Sequence, residues 1–368
     1  MIFRPHAIGT VAAALTAAVL SLLSGCPPSG AAGEDAGSSD RDDAGTEPDD
    51  DAGSTPDDDA GSTPNDAGSG SDDAGSTPDD AGPGDPFGRY DRAGPATVTL
   101  VAGAVDLGGF SPVDLDVYLP STPGPRPVVS LSPGLLQPRE AYRPYGERLA
   151  SHGVIVVVRD DPGVLTDTQT VADGIVTIAT TWLDAENADS ASPLFGRVDQ
   201  SRLGLAGHSR GGKASLVAAE QRLHDVASAW FGLDPVDASE FAGGAMARDA
   251  LPDLGMATGF FGAEVTSSCS PADDNYHVLF LLAPTPSVEL VGLGAGHTQL
   301  QDEDHCVGCA ACSPQGSADG DVVLGLAVRY LTAFFARELL DDATVGAGLD
   351  GAGAALDVAE GRITRATR

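Results

Sequence analysis

Val154-Ile155-Val156-Val157-Val158 is an unbroken apolar, β-branched run, closed by Arg159. A strand with no polar face has nowhere to meet water, so it must lie inside a sheet covered on both sides, the situation of parallel sheets. Apolar runs and helical patterns alternate around it. Val98 to Val105 and Val113 to Leu119 alternate well enough for an antiparallel pair of strands, and Pro127 to Leu131 is a short buried strand. Tyr142 to His152 has helical spacing, with Tyr145, Leu149 and Ala150 on one side, and Gly153 ends it. Val171 to Asn187 reads as a helix, Leu203 to Ala206 as a strand entering Gly207, and Lys213 to Glu220 as a helix. Val226 to Leu233, Met256 to Phe261 and Val288 to Leu293 are further strands, and Val322 to Leu340 is a long helix. Strict alternation predicts an α/β fold with a mostly parallel central sheet and helices on both faces.

This pattern fills only part of the 368 residues. Met1 to His6 carries one positive charge, Ala7 to Leu23 is apolar or small, and Leu23-Ser24-Gly25-Cys26 closes the segment. A stretch of that length and flank suits a secretory signal better than a membrane span. Its last four residues match a bacterial lipobox, so residues 1–25 are expected to be removed and Cys26 to receive a lipid. The expected location is that of an exported lipoprotein, held at the outer membrane or cell surface, with its domain periplasmic or extracellular. Residues 26–86 are almost wholly Asp, Ala, Gly, Ser, Thr and Pro in near-repeats of D-A-G-S-T-P-D-D. They have nothing to bury and repel one another, which predicts an extended, disordered tether. The repeats lack the regular Gly and apolar positions of a calcium-binding β-roll or EF-hand. The tether supplies much of the formal charge of −34, the rest of the chain is also acidic, and no basic patch argues for nucleic acid as a partner. Residues 87–340 are the right size for one catalytic domain. The tail, 341–368, is Gly- and Ala-rich with weak apolar periodicity, and reads as a loose helix or as disordered.

The chemistry concentrates in Gly207-His208-Ser209-Arg210-Gly211-Gly212. A G-x-S-x-G run between a buried strand and a helix is the arrangement of a nucleophile elbow. The turn is sharp, small flanking residues let backbone approach, and the helix N-terminus favours developing negative charge. Ser209 is therefore the candidate nucleophile. An oxyanion hole needs two backbone N–H groups, for which Arg210 and Leu135, in the Pro133-Gly134-Leu135-Leu136 loop, are the candidates. His297 follows the last parallel strand in Gly294-Ala295-Gly296-His297 and is better placed as base than His152, His208, His224, His277 or His305. Position leaves the acid open. Asp234 ends the strand after the elbow helix, and Glu264 ends the next.

Several of these motifs resemble the plant chlorophyllases and their bacterial relatives: Gly207 to Lys213, Leu233-Asp234-Pro235-Val236-Asp237, Gly296-His297 followed by Leu300 to Asp304, and Cys269 to Tyr276. The resemblance runs from about Pro127 onward. It implies an α/β-hydrolase fold, carboxylic ester hydrolysis, and Ser209, Asp234 and His297 as the triad, with Asp237 as fallback for the acid. The G-L-D-P turn is also similar to the one carrying the acid in vertebrate lipases. Pro133 to Val158 resembles the bacterial cutinases and polyester hydrolases, although this chain has Leu135 where those have an aromatic and Arg210 where they have Met. Together these features imply a secreted serine ester hydrolase working through an acyl-enzyme, without metal or organic cofactor, on a small-molecule or lipid-like ester. The alternatives are a lipase- or cutinase-like polyester hydrolase and a non-catalytic surface binding protein on a hydrolase scaffold. The sequence is silent on oligomeric state.

Cys269, Cys306, Cys309 and Cys312 remain, with His305 beside three of them. C-x-x-C-x-x-C invites a metal reading. In an exported protein thiols are normally oxidised, so two disulfides are expected, their pairing open, with Cys269 as the distant partner of the loop after His297.

Overall fold

The structure, a computed structural model, describes residues 88–109, 111–163, 166–238 and 244–368. The signal segment, Cys26 and the acidic tether lie outside the described residues.

Nine strands form one sheet in the order β1-β2-β4-β3-β5-β6-β7-β8-β9. They are β1 (Val98–Val105), β2 (Val113–Pro120), β3 (Arg126–Ser132), β4 (Ile155–Arg159), β5 (Val198–His208), β6 (Ala227–Leu233), β7 (Ala257–Val265), β8 (Ser287–Gly296) and β9 (Ile363–Thr367). β3 to β8 are mutually parallel; β1 and β2 pair antiparallel, as do β2 and β4 and, at the other edge, β8 and β9. As the unbroken apolar run requires, β4 sits between β2 and β3 and is buried at every residue.

Side chains alternate across the sheet and feed two cores. Val156, Val158, Phe231 and Leu290 face helices α1 (Arg143–Ser151) and α5 (Gly320–Leu340). Ile155, Val157, Leu205 and Trp230 face α2 (Thr168–Thr177), α3 (Arg210–Ala218) and α4 (Tyr276–Leu282). α5 buries Val323, Leu326, Ala327, Tyr330, Leu331, Phe334, Phe335 and Leu339, one stripe at helical spacing. Asp319 caps it by accepting from the Val322 N–H at 3.2 Å. The helix expected from Val171 starts three residues earlier, where Asp167 accepts from Thr170 N–H at 2.9 Å, and passes through a wide turn at Ile178–Trp182 before Leu183–Ala188.

The chain after Leu340 departs from expectation. Expected as a loose helix or as disordered, it forms the helix α6 (Ala352–Ala359) and then β9, which pairs from Gly292↔Ile363 to Val288↔Thr367 and closes the sheet edge. Asp357 anchors this return. Fully buried, it accepts from the Tyr330 hydroxyl at 2.5 Å, Arg362 Nε at 2.6 Å and the Arg329 guanidinium. At the floor of the sheet, where parallel strands begin, Arg202 of β5 donates to the Leu339 carbonyl at 3.3 Å. Asp342, just beyond α5, accepts there from Tyr90 and Arg89 near the first described residue.

Breaking a buried ion pair by removing one partner costs about 3–5 kcal/mol, because the other charges stay buried without compensation. Asp357→Ala is therefore expected to lower stability by about that much in urea unfolding. A midpoint unchanged from the parent would show that β9 is not held through Asp357.

Candidate active site

The elbow forms at the rim where parallel strands end and βα-loops begin. Ser209 has φ 52° and ψ −122°, a left-handed backbone for a residue that is not glycine. Such strain persists only when the surroundings over-determine it. Here they do. A Cβ on Gly207 would strike the Gly211 backbone, one on Gly211 would strike the Ser132 and Pro133 carbonyls, and one on Gly212 would lie 2.7 Å from Pro235 Cβ. Ser209 N–H donates to the Leu233 carbonyl at 3.0 Å and its carbonyl accepts from Val236 N–H at 3.2 Å, which ties the elbow to the end of β6.

Asp234 follows directly on β6, also at positive φ (40°). It is wholly buried; Oδ1 accepts from Ala263 N–H at 3.3 Å and Oδ2 lies 2.6 Å from His297 Nδ1. His297 leaves β8 as the first residue of a short helical turn and is 5% exposed. Its Nδ1 is engaged by the carboxylate, and Nε2 is left without a protein partner among the described residues. The structure thus joins Asp234 to His297. It does not bring the other acid candidates there. Asp237 is buried in a separate ion pair with Arg248 at 2.7 Å and accepts from Ala247 N–H at 2.6 Å, with Lys213 Nζ 4.0 Å away. Glu264 accepts from Gly294 N–H at 2.7 Å.

The two oxyanion candidates occupy facing segments. Arg210 is the first residue of α3, and the first bond of that helix runs from Lys213 N–H to the Ser209 carbonyl at 3.2 Å, so the Arg210 N–H precedes the helical ladder. In the turn after β3, Gly134 N–H donates to Tyr142 Oη at 2.9 Å, Leu136 N–H to Asp161 Oδ2 at 2.8 Å, and Gln137 N–H to the Gly134 carbonyl at 3.1 Å. Leu135 is the member of that turn whose N–H has no protein acceptor among the described residues.

Sequence reasoning missed the support behind these groups. His208, set aside as part of the elbow, packs against His297 with tilted rings whose centroids lie 4.6 Å apart, and its Nε2 donates to the His297 carbonyl at 3.1 Å. Nδ1 then accepts from the Tyr142 hydroxyl, 2.7 Å away. Burial, and secondarily the nearby His297, push the His208 pKa well below its ordinary value, which keeps the ring neutral. Tyr142 also lies 2.8 Å from Gln301, whose amide nitrogen donates to Gln137 Oε1 at 3.1 Å. One observable signal pointed toward some of this: Asp160-Asp161 directly follows a buried parallel strand, at the edge where ligands bind in α/β sheets.

The cysteines pair as Cys269–Cys312 and Cys306–Cys309. The first bridge fastens the loop after His297 to the loop after β7, beside a backbone bond from Ser268 N–H to the Ser313 carbonyl at 3.0 Å. Sulfurs of the second accept from the Gln301 amide.

The strand order, the strained serine after β5, and an acid and a histidine after β6 and β8 define an α/β-hydrolase fold. Residues 92–242 match a family model described as PETase, PET hydrolase-like. That stretch holds Ser209, Asp234 and both oxyanion candidates and stops short of His297. The chain is similar to Cutinase est1 of Thermobifida alba, 31% identical over 135 residues, which is 36% of this chain and 43% of that protein. It is similar also to Cutinase 2 of Thermobifida cellulosilytica, 32% identical over 135 residues, 36% of this chain and 48% of that protein. The chain thus spans less than half the length of the curated relatives it matches.

Because the folded His208 pKa lies below that of an unfolded imidazole, about 6.5, the unfolded chain binds the extra proton first as pH falls. Its contribution to stability is therefore present above that pH and declines below it. Nitrogen-15 NMR at pH 5 is expected to find His208 neutral with its proton on Nε2, and urea midpoints to fall from pH 6.5 to 5. An imidazolium signal for His208 at pH 5 would contradict the buried-neutral assignment.

Proposed function

We propose that this protein is a serine carboxylic ester hydrolase working through an acyl-enzyme. The observation that carries the reading is the buried 2.6 Å bond between His297 and Asp234, beside a serine held at positive φ on the strand-to-helix turn. Asp234 fixes the proton of His297 on Nδ1 and leaves Nε2 to accept the Ser209 proton. Ser209 Oγ then adds to the ester carbonyl, and the resulting oxyanion lies toward the N–H groups of Leu135 and Arg210. As the intermediate collapses, His297 passes the proton to the departing alkoxide, and water repeats the sequence to release the acid.

The partial match to cutinases and to the PET hydrolase-like model supports esters with apolar acyl or alcohol parts. So does the rim, where Leu135 (41% exposed), Leu136 (49%) and Val307 (54%) offer apolar surface around the turn. A chlorophyllase-like preference is the second reading, favoured by the Gly207-to-Lys213 and Leu233-to-Asp237 runs. A panel of esters varied separately in acyl and alcohol size separates the two. From Leu23-Ser24-Gly25-Cys26 we infer export and lipid anchoring; Cys26→Ala should then shift the protein from the membrane to the soluble fraction, and unchanged fractionation would count against the anchor.

Ser209→Ala is expected to abolish turnover of short p-nitrophenyl esters and labelling by a fluorophosphonate probe. Asp234→Asn should lower kcat by about 10⁴-fold, since an amide favours the wrong imidazole tautomer. Full turnover by Ser209→Ala would end this reading, and a parent protein that neither labels nor hydrolyses any ester would favour a binding scaffold.

A further inference from the structure

The two proposed oxyanion donors belong to different parts of the chain, and their spacing must hold within about 0.5 Å to be useful. On one side the gap is set by contact, since Gly211 presses on the Ser132 and Pro133 carbonyls. On the other it is bridged by one carboxylate. Asp161, two residues past β4, turns Oδ2 to Leu136 N–H at 2.8 Å and to Gly163 N–H at 3.0 Å. Its Oδ1 takes the Arg210 guanidinium, and the pair is sealed, with side chains 2% and 9% exposed. Arg210 Nη1 continues to the Thr166 carbonyl at 3.0 Å and the Gly163 carbonyl at 3.2 Å. The Arg210 charge is thus engaged by the loop after β4.

We propose that Asp161 is the positioning residue of the oxyanion hole, holding the Leu135 donor through Leu136 and the Arg210 donor through its own side chain. Leu136 shows why the bond is needed. Its φ of 62° is unfavourable for an L-residue with a Cβ, and a turn left to itself relaxes. The Asp161 carboxylate holds the Leu136 N–H in that conformation, and the preceding peptide, which carries the Leu135 carbonyl, is turned with it. The Leu135 N–H, one peptide earlier in the same turn, has no protein acceptor among the described residues. The same carboxylate anchors Arg210, so movement of either segment disturbs both donors.

This inference rests on the ester hydrolase reading, and its test keeps the two apart. The measurement is kcat and KM for p-nitrophenyl butyrate, together with the inhibition constant of an alkyl trifluoromethyl ketone, whose hemiketal with Ser209 carries the oxyanion. Asp161→Ala is expected to lower kcat by about 100-fold, the scale of losing one oxyanion donor, with KM changed less than about three-fold. The inhibition constant should rise by the same factor as kcat/KM falls, as a transition-state analogue must. Asp161→Asn, nearly isosteric and able to accept one of the bonds, should lose less on both scales and serves if the alanine variant does not fold. A folded variant with kcat within about three-fold of the parent overturns the proposal. So does a loss of kcat without a matching loss of ketone affinity, which would mark Asp161 as structural support only. A parent that turns over no ester overturns the hydrolase reading instead.

Discussion

Three glycines bring the ends of β3, β5 and β6 into backbone contact at one point, and the rest of the site depends on that contact. Gly207 meets the Gly211–Gly212 backbone, Gly211 the Ser132 and Pro133 carbonyls, and Gly212 the Pro235 ring. A side chain at any of them would part the strand ends. With them closed, Ser209 is held at positive φ. Asp234 takes up its own left-handed turn one strand over, and the loop after β3 packs against the start of α3.

Much of the fold was legible because its elements carry distinct periodicities. The uniform run of β4, the stripe of α5 and the elbow motif each state their setting. β9 was not legible. Ile363 is its one fully buried apolar residue, and the strand follows a Gly- and Ala-rich stretch, so neither alternation nor a core run marks it. It is a strand because β8 offers an open edge and because Asp357, gripped by Tyr330, Arg329 and Arg362, holds the chain there. Ser209 and His297 were readable from their places at strand ends. Position alone left the acid open, since Asp234, Asp237 and Glu264 occupy similar positions and differ in what each side chain meets; only the resemblance of the G-L-D-P turn pointed to Asp234. Arg248 claims Asp237 and a backbone N–H claims Glu264, leaving Asp234 for the histidine. His208 and Tyr142 were missed because their roles arise from contacts across 66 residues of sequence.

Among the described residues three aspartates, Asp234, Asp237 and Asp357, are wholly buried. Each is met by donors sufficient to hold a carboxylate away from water: an imidazole and a backbone N–H, an arginine with backbone N–H groups, and two arginines with a phenol. Burying a charge is tolerable only with such partners. Much of the remaining acidity belongs to residues 26–86, while the described interior carries a few matched charges at the points where loops must be fixed.

The pairing of Asp342 with Tyr90 and Arg89 sets a direction. Those contacts sit where parallel strands begin, and β9 ends beside Ser287 at the same level, with Arg368 N–H donating to the Ser287 carbonyl at 2.9 Å. Arg89, Tyr90 and Arg368 therefore lie on the floor, and the serine lies at the opposite rim. A group attached at Arg368 therefore stands across the sheet from Ser209 and leaves the rim around the elbow uncovered.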